Sequence, residues 1–394
     1  MIRLVLLTDF TESFSYNLLR GILSYSKKHE PWVVCRMPPS YKENYGIYGV
    51  LKWAKTWQAN AIIGTFNEDD DVDLFAQNGI IAIAQDYKAR LKSIPNITGN
   101  YRKTGEMAAD FYLSKGFQNF AFYGYHDTVW SQERCEGFYS RIESQGYGNN
   151  FTSYMAHSIN DIWFYEAPPL LAWLKALPRS TALMACDDNQ GNRILEICKV
   201  NRIRVPDEIA VLGVDNDEII CNLSDPSLSS ISHDIVRGGF EAAQLIDQLI
   251  NGKTTPTQEV GDVVINPINI VNRQSTDFFY TTDENIQTAL KYIVKNLSKD
   301  ISVTDILKQV PLSRRLLEIR FRQVTKQSIH KYISVLRMEK FAELLLSSDG
   351  SISEIAAQVG IYNLKNLSRQ FKSLKNESPI EYRKKHQLMN NESR

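Results

Sequence analysis

Seven short apolar runs, each followed by a stretch with helical spacing, fill the first two thirds of the chain: Leu4–Leu7, Trp32–Cys35, Ala61–Gly64, Ile80–Ala84, Phe120–Tyr123, Leu183–Cys186 and Ile209–Val214. Between them, segments such as Ser15–Lys28 and Thr104–Lys115 place apolar residues three and four apart, the helical period. Strand–helix alternation of this kind implies an α/β fold of parallel sheets with helices on both faces, and with ligands outside the carboxyl ends of the strands. The pattern runs to about residue 280, enough for two such lobes facing a cleft.

The strand ends are therefore the places to look for chemistry, and three of them are acid-rich: Thr8-Asp9-Phe10, Cys186-Asp187-Asp188-Asn189 and Val214-Asp215-Asn216-Asp217. Carboxylates and amides make paired hydrogen bonds to sugar hydroxyls, and aromatic faces cover sugar C–H groups, so this set suits a polyol better than a phosphate. The competing reading of each Asp is an N-cap for the next helix, and Asp188 is read that way. The chain has no G-x-S-x-G, no G-x-G-x-x-G after a strand and no G-x-x-x-x-G-K-[ST]. Its six histidines form no H-x-x-H or H-x-x-x-H pair. An enzyme, a metal centre and a bound cofactor are not expected. Five cysteines without CxxC spacing suit a reducing compartment. The N-terminal apolar run stops at Asp9, too early for a secretion signal or a membrane span, so a cytoplasmic protein without a membrane partner is expected.

Four segments carry a family resemblance: Phe120-Ala121-Phe122-Tyr123-Gly124, Trp130-Ser131-Gln132-Glu133-Arg134, Ile209 to Asn216, and Ser229-Ser230-Ile231-Ser232-His233. They resemble the sugar-responsive core of LacI-family regulators, itself similar to periplasmic sugar-binding proteins. The resemblance implies two lobes joined by three crossovers with sugar between them. It further implies sugar contacts from Arg134, Asp187, Asp215 and His233, and from Asp9 and Phe10 on the first strand-to-helix loop. Asp187 stands where that family has the Asn of an Asn-Asp pair. A LacI-type regulator begins with a DNA-binding helix-turn-helix, whereas this chain begins with its first strand, so a DNA reader is expected elsewhere.

The last 111 residues are of a different kind. The chain as a whole has 45 basic and 45 acidic residues, but residues 284–394 hold 20 Lys and Arg against 11 Asp and Glu, leaving 25 against 34 before them. A basic segment beside an acidic remainder is the footprint of a nucleic-acid module, the alternative being a solvated helical surface. Within it Ile306-Leu307-Lys308-Gln309-Val310 and Ser313 to Phe321 are echoed by Ile355-Ala356-Ala357-Gln358-Val359 and Asn363 to Phe371. Each copy opens with a capping pattern, Ser302-x-x-Asp305 or Ser351-x-x-Glu354, and breaks at Pro311 or Gly360 before a second helix. That is an all-α domain with two helix-turn-helix units, at about 303–324 and 352–374, and in this motif the second helix enters the major groove. Leu316, Leu317 and Phe321 are expected to pack inward in the first copy, as are Leu367 and Phe371 in the second. Arg314, Arg315, Glu318 and Ile319, then Asn363, Lys365, Asn366 and Arg369, are expected to face DNA, since Arg suits guanine and Asn suits adenine.

Arg337-Met338, Leu344-Leu345, Ile355-Ala356, Val359-Gly360-Ile361, Phe371 and Ser378-Pro379-x-x-Tyr382-Arg383 resemble, in order, the signature of AraC-family transcription regulators. Phe341 departs from that pattern where a small residue is usual, and Lys326 and Asn376 stand at frequent glycine positions. A LacI-like sensor joined to an AraC-like reader is similar to the group of xylose operon regulators, and Arg273-Gln274-Ser275-Thr276-Asp277 also matches that group, although Ser13-Phe14-Ser15-Tyr16 does not. The expected organisation is a sensor at 1–277, a linker at 278–283 and a reader at 284–394. Lobe 1 covers about 1–98 and 233–262, and lobe 2 about 99–232 and 263–277. The resemblance implies a sugar-responsive transcription activator of pentose-use genes, with a pentose effector, double-stranded operator DNA, RNA polymerase and a second copy of the chain as partners. A repressor built from the same parts and a sugar-binding transport protein are the alternatives.

Overall fold

A computed structural model of the chain describes residues 1–10, 13–156, 167–252, 261–277, 281, 283–348, 350–375 and 377–384. The described residues divide into two units, one of 1–111 with 118–276 and the other of 112–117 with 277–394.

The strands of the first unit are β1 (Arg3–Leu7), β2 (Val33–Met37), β3 (Ala61–Gly64), β4 (Ile81–Gln85), β5 (Asn96–Gly99), β6 (Asn119–Tyr125), β7 (Phe151–Ala156), β8 (Thr181–Ala185), β9 (Ile209–Val214), β10 (Ser229–His233), β11 (Val263–Ile265) and β12 (Pro267–Val271). They form two six-stranded sheets, ordered β11-β5-β4-β3-β1-β2 and β12-β10-β9-β8-β6-β7. Every pairing in the first sheet is parallel, and in the second only β10 and β12 run antiparallel. Leu4, Val5, Leu6 and Leu7 are wholly buried, as a strand covered by helices on both faces requires. The chain passes between sheets after β5, after β10 and after β11, giving three crossovers. The last falls at Asn266, slightly later than expected, because Val263–Ile265 pairs with β5 and still belongs to lobe 1.

In each lobe a helix that follows a crossover meets a neighbouring helix through glycine. Helix Ser13–Lys28 crosses helix Ile235–Ile250 at Gly21 and Gly239, where a Cβ on Gly239 would lie 2.1 Å from the Leu18 carbonyl oxygen. Helix Tyr101–Ser114 crosses helix Val129–Ser144 at Gly105 and Gly137, with a Cβ on Gly105 falling 2.1 Å from the Arg134 carbonyl oxygen. The obstructing atoms are backbone, so they cannot rotate away.

The second unit is helical. Asp283 caps helix Glu284–Lys295, whose Ile286, Leu290 and Ile293 pack with Val303, Ile306, Leu317, Phe321 and Tyr332. The first helix-turn-helix consists of Val303–Leu307 and Arg314–Thr325, and the second of Ile352–Gln358 and Leu367–Lys375, the latter preceded by a 3-10 turn at Leu364–Asn366. Both predicted capping boxes form, each serine and its acid satisfying the other's backbone N–H. Helix Ile329–Ser347 joins the two copies. Lys326 takes φ +57° at the C-cap of Arg314–Thr325, the left-handed conformation that makes glycine common there. Phe341 is fully buried, with its ring edge-on to Phe371 at 5.5 Å, so the large residue is absorbed by aromatic packing. Asn376 lies outside the described residues.

Gly239→Ala tests the glycine crossings. Alanine gains about 1 kcal/mol of helix propensity, whereas forcing two backbones apart in a packed core costs about 1–3 kcal/mol. The variant is expected to melt several degrees below the native chain in a thermal unfolding experiment, despite its better helix former.

Candidate functional site

The carboxyl ends of both sheets face one cavity of about 220 Å³. Lobe 2 supplies its polar wall. Arg134, on helix Val129–Ser144, is only 4% exposed. One terminal nitrogen donates to the Cys186 carbonyl oxygen and the other to Asp215 Oδ1 at 3.2 Å. Its guanidinium lies over the Trp130 ring at 5.2 Å and near the Tyr101 ring at 5.3 Å, where stacking holds the fork in plane. Its Nε has no hydrogen-bond partner among the described residues, and a buried N–H of this kind calls for an acceptor.

Asp215 follows β9 with φ +96°, a conformation that turns its side chain back toward Arg134 and His233. Burial alone would raise its pKa, but the Arg134 charge and the His233 hydrogen bond hold it below the usual carboxylate range. His233 Nδ1 lies 3.2 Å from Asp215, and its Nε2 lies 2.9 Å from the Thr104 hydroxyl. Burial pushes the His233 pKa down, and Asp215 opposes that shift only in part. The neutral ring thus donates from Nδ1 to Asp215 and accepts from Thr104. Asp187 accepts from the Gln190 backbone N–H at 2.7 Å, which makes it the N-cap of helix Asp188–Val200. Burial raises its pKa to about 6, with Asp215 adding to the shift and the Gln190 N–H and Arg134 opposing it.

Asp188, expected to be that cap, is instead buried in the cavity wall. It accepts from the Ser230 hydroxyl at 2.6 Å and from the Asp217 backbone N–H at 2.7 Å, joining the loops after β8 and β9 to β10. The cap moves one residue earlier because Asp187 has the extended backbone an N-cap needs.

Lobe 1 presents a less charged wall: Ser13 and Phe14 from the start of the first helix, Gln85 at the end of β4 and Tyr87 after it, and Ile265 from β11. Thr8 donates to Gln85 at 3.0 Å. Tyr101, just after the first crossover, reaches back to this side, donating to the buried Asp86 at 2.8 Å, and its ring lies so close to Gly99 that no side chain fits there. Asp9 and Phe10 do not line the cavity. Asp9 is exposed, and Phe10 packs against Tyr16 at 5.8 Å and Arg36 at 5.4 Å; of the described residues at this chain end, Ser13 and Phe14 line the cavity. Sequence reasoning did not single out Phe14, Gln85, Tyr87 or Tyr101 as contacts. The one available signal was position, since Gln85 ends a strand and Tyr101 follows the required Gly99.

The lobes also touch directly beside the cavity. Arg90 makes a two-pronged pair with Glu133 at 2.6 and 2.8 Å and reaches back to Asp86 at 3.2 Å. Lys88 pairs with Asp127 at 3.0 Å, and the Val129 N–H donates to the Tyr87 carbonyl at 3.0 Å.

In the second unit, Arg315, Glu318, Ile319, Lys365, Asn366 and Arg369 are exposed on the second helices or the turn leading into one. Arg314 pairs with Glu318 at 3.1 Å and Arg369 with Asn366 at 3.1 Å. Asn363 is used as a cap, accepting from the Lys365 N–H at 3.1 Å. Leu316, expected inside, is 36% exposed: Leu317 and Phe321 already fill the inward face, and Leu316 lies one step around the helix from it.

Among the described residues no helix is long and apolar enough to cross a membrane, and no group of three or more His, Cys, Asp or Glu is placed to hold a metal ion. Residues 109–276 match the periplasmic binding protein-like domain family, and residues 306–385 match a helix-turn-helix domain family. The chain is 31% identical over 332 residues to the xylose operon regulatory protein of Haemophilus influenzae, covering 82% of this chain and 84% of that one. It is 29% identical over 344 residues to the protein of the same name from Escherichia coli K12, covering 84% and 85%. A solved structure described as the xylose-binding transcription activator xylR aligns over 98% of both chains, with a TM-score of 0.62 and 25% identity.

The raised pKa of Asp187 gives a signed pH test. The folded chain holds its proton up to about pH 6, against 3.8 for an ordinary aspartate, so Asp187 favours the fold at low pH and that contribution is lost as pH rises through 6. Asparagine keeps the cap and removes the charge. Asp187→Asn should therefore melt above the native chain at pH 7 and converge with it below pH 4, as followed by thermal unfolding across pH.

Proposed function

Because the chain belongs to the family of xylose operon regulatory proteins, we propose that this sugar-responsive DNA-binding regulator is an activator whose effector is a single pentose ring held between Arg134, Asp187, Asp215 and His233. The observation that carries this reading is the cavity. Its polar wall holds a fixed guanidinium with a spare N–H, two acids of different proton affinity and a neutral histidine, matching the mixed donors and acceptors of neighbouring sugar hydroxyls. Trp130 and Phe14 supply faces for C–H groups. At about 220 Å³ it lies below the range of about 300–1,000 Å³ common for drug-sized ligands, which favours one ring over two.

In this reading the sugar adds cross-cleft bonds to those already made by Arg90 and Lys88, and shifts the lobes toward closure in proportion to its differential affinity for the two forms. The same coupling makes DNA affinity depend on sugar and sugar affinity depend on DNA. Homodimers on paired half-sites, recruitment of RNA polymerase and a cytoplasmic location complete the proposal. They are supported by the two helix-turn-helix units and by the relatives' role as operon regulators.

A panel of pentoses and hexoses tests the proposal. One pentose should raise the melting temperature, a ligand at a hundredfold excess over Kd adding about 2.7 kcal/mol, and should change the affinity for an operator fragment read by fluorescence anisotropy. Arg134→Lys keeps the charge and loses the fork. It should weaken sugar binding by at least tenfold in calorimetric titration, since a charged hydrogen bond is worth about 1.5–3 kcal/mol, and leave DNA affinity without sugar unchanged. A pentose that binds equally well to the variant, or binds without altering DNA affinity, overturns the reading.

A further inference from the structure

The second helix of the first helix-turn-helix unit carries an aliphatic side chain where a solvated surface would place a polar one. Ile319 is 46% exposed at the middle of Arg314–Thr325, and Leu316 stands beside it at 36%. Arg315 and Arg322 precede and follow Ile319 by four and three residues, so the three share one face. Both arginines are exposed and pair with no acid among the described residues. Neighbouring charges are already committed. Arg314 is held by Glu318, and Arg320 by Asp283 at 3.1 Å. What remains is a narrow stripe, cation–aliphatic–cation, along a helix of the width a major groove admits, about 10–12 Å against about 12 Å.

We infer that Ile319, flanked by Arg315 and Arg322, reads the 5-methyl group of a thymine in the major groove, and so specifies an A·T pair within each half-site. This rests on the DNA-binding reading above and adds a base identity to it. Charge complementarity selects the occupant: two free guanidiniums at about one helical turn on either side of Ile319 match the phosphates or guanines of a duplex. The thymine methyl is the apolar feature of the groove, and contact with it is the way an aliphatic side chain gains there. Leu316 widens the apolar surface toward the start of the helix. Neither residue can hydrogen-bond a base edge, so the contact distinguishes thymine from cytosine by its methyl alone.

The experiment uses the full chain. Its preferred duplex is selected from a random library, and each thymine in that duplex is then replaced singly by uracil, which removes the methyl and nothing else. One thymine should be sensitive, its replacement weakening binding about fourfold, the worth of burying one methyl-sized group. Ile319→Ser should bind the thymine and uracil duplexes equally at that position while keeping any sensitivity elsewhere, and Ile319→Val should retain the discrimination. Selection of a clear site with no methyl-sensitive thymine, or sensitivity that persists in Ile319→Ser, overturns the inference and leaves DNA binding intact. If Ile319→Ser instead abolishes self-association and leaves thymine sensitivity unchanged, the residue covers a second copy of the chain and the inference falls. Enrichment of no sequence at all overturns the DNA-binding reading and the inference with it.

Discussion

One buried guanidinium organises the sensing unit. Arg134 joins four pieces of chain that are distant in sequence: its own helix, the Cys186 carbonyl just after β8, the acid that follows β9, and the aromatic ring of Tyr101 after the first crossover. A charge this deep is costly unless every partner is in place. Asp215 must therefore turn inward at positive φ, His233 must stay neutral, and the strand ends must lie level with one another. The Nε–H of the same guanidinium is buried without a hydrogen-bond partner among the described residues. In the proposed reading, sugar binding and the arrangement of the second sheet depend on the same group.

Much of this was legible from sequence because burial on both faces leaves a plain mark. β1, β3, β4, β6, β8 and β9 are continuous apolar runs. β10 is not: Ser229, Ser230 and Ser232 interrupt any apolar run, yet Ser229 and Ser230 are fully buried. Their hydroxyls are satisfied by the Arg273 carbonyl and Asp188, and the Ser232 hydroxyl by Asn269. Polar side chains that find partners inside erase the periodicity on which a strand is recognised. β5 and β7 are obscured in the same way, each alternating too few apolar residues. The cap exchange between Asp187 and Asp188 was out of reach for another reason, since two adjacent aspartates offer identical chemistry and only tertiary partners separate them.

The reading unit shows a different balance. Its repeat, caps and breaks were local signals, and local signals decide helices, so the two helix-turn-helix units followed from the chain alone, whereas helix Glu284–Lys295 was not anticipated. What sequence did not separate was which charged residues are spoken for. Arg314, Arg320, Asn363 and Asn366 all look free in a linear pattern, and each has a partner within the unit. An apolar surface residue carries more information here than another arginine would.

The two walls of the cavity are built by different means, and this bears on how such a sensor can diverge. The wall from lobe 2 is locked into the fold through Arg134, so altering it threatens the second sheet as a whole. Across the cleft, Ser13 and Phe14 sit half-buried at the start of a helix, with Gln85 at the end of β4 and Tyr87 just beyond it, and none of the four carries a charge whose burial the sheet must compensate. A lineage can exchange these residues one at a time and try new effectors while the anchoring half stays constant. In the proposed reading, recognition is divided into an anchoring half that holds a sugar and a permissive half that decides which one.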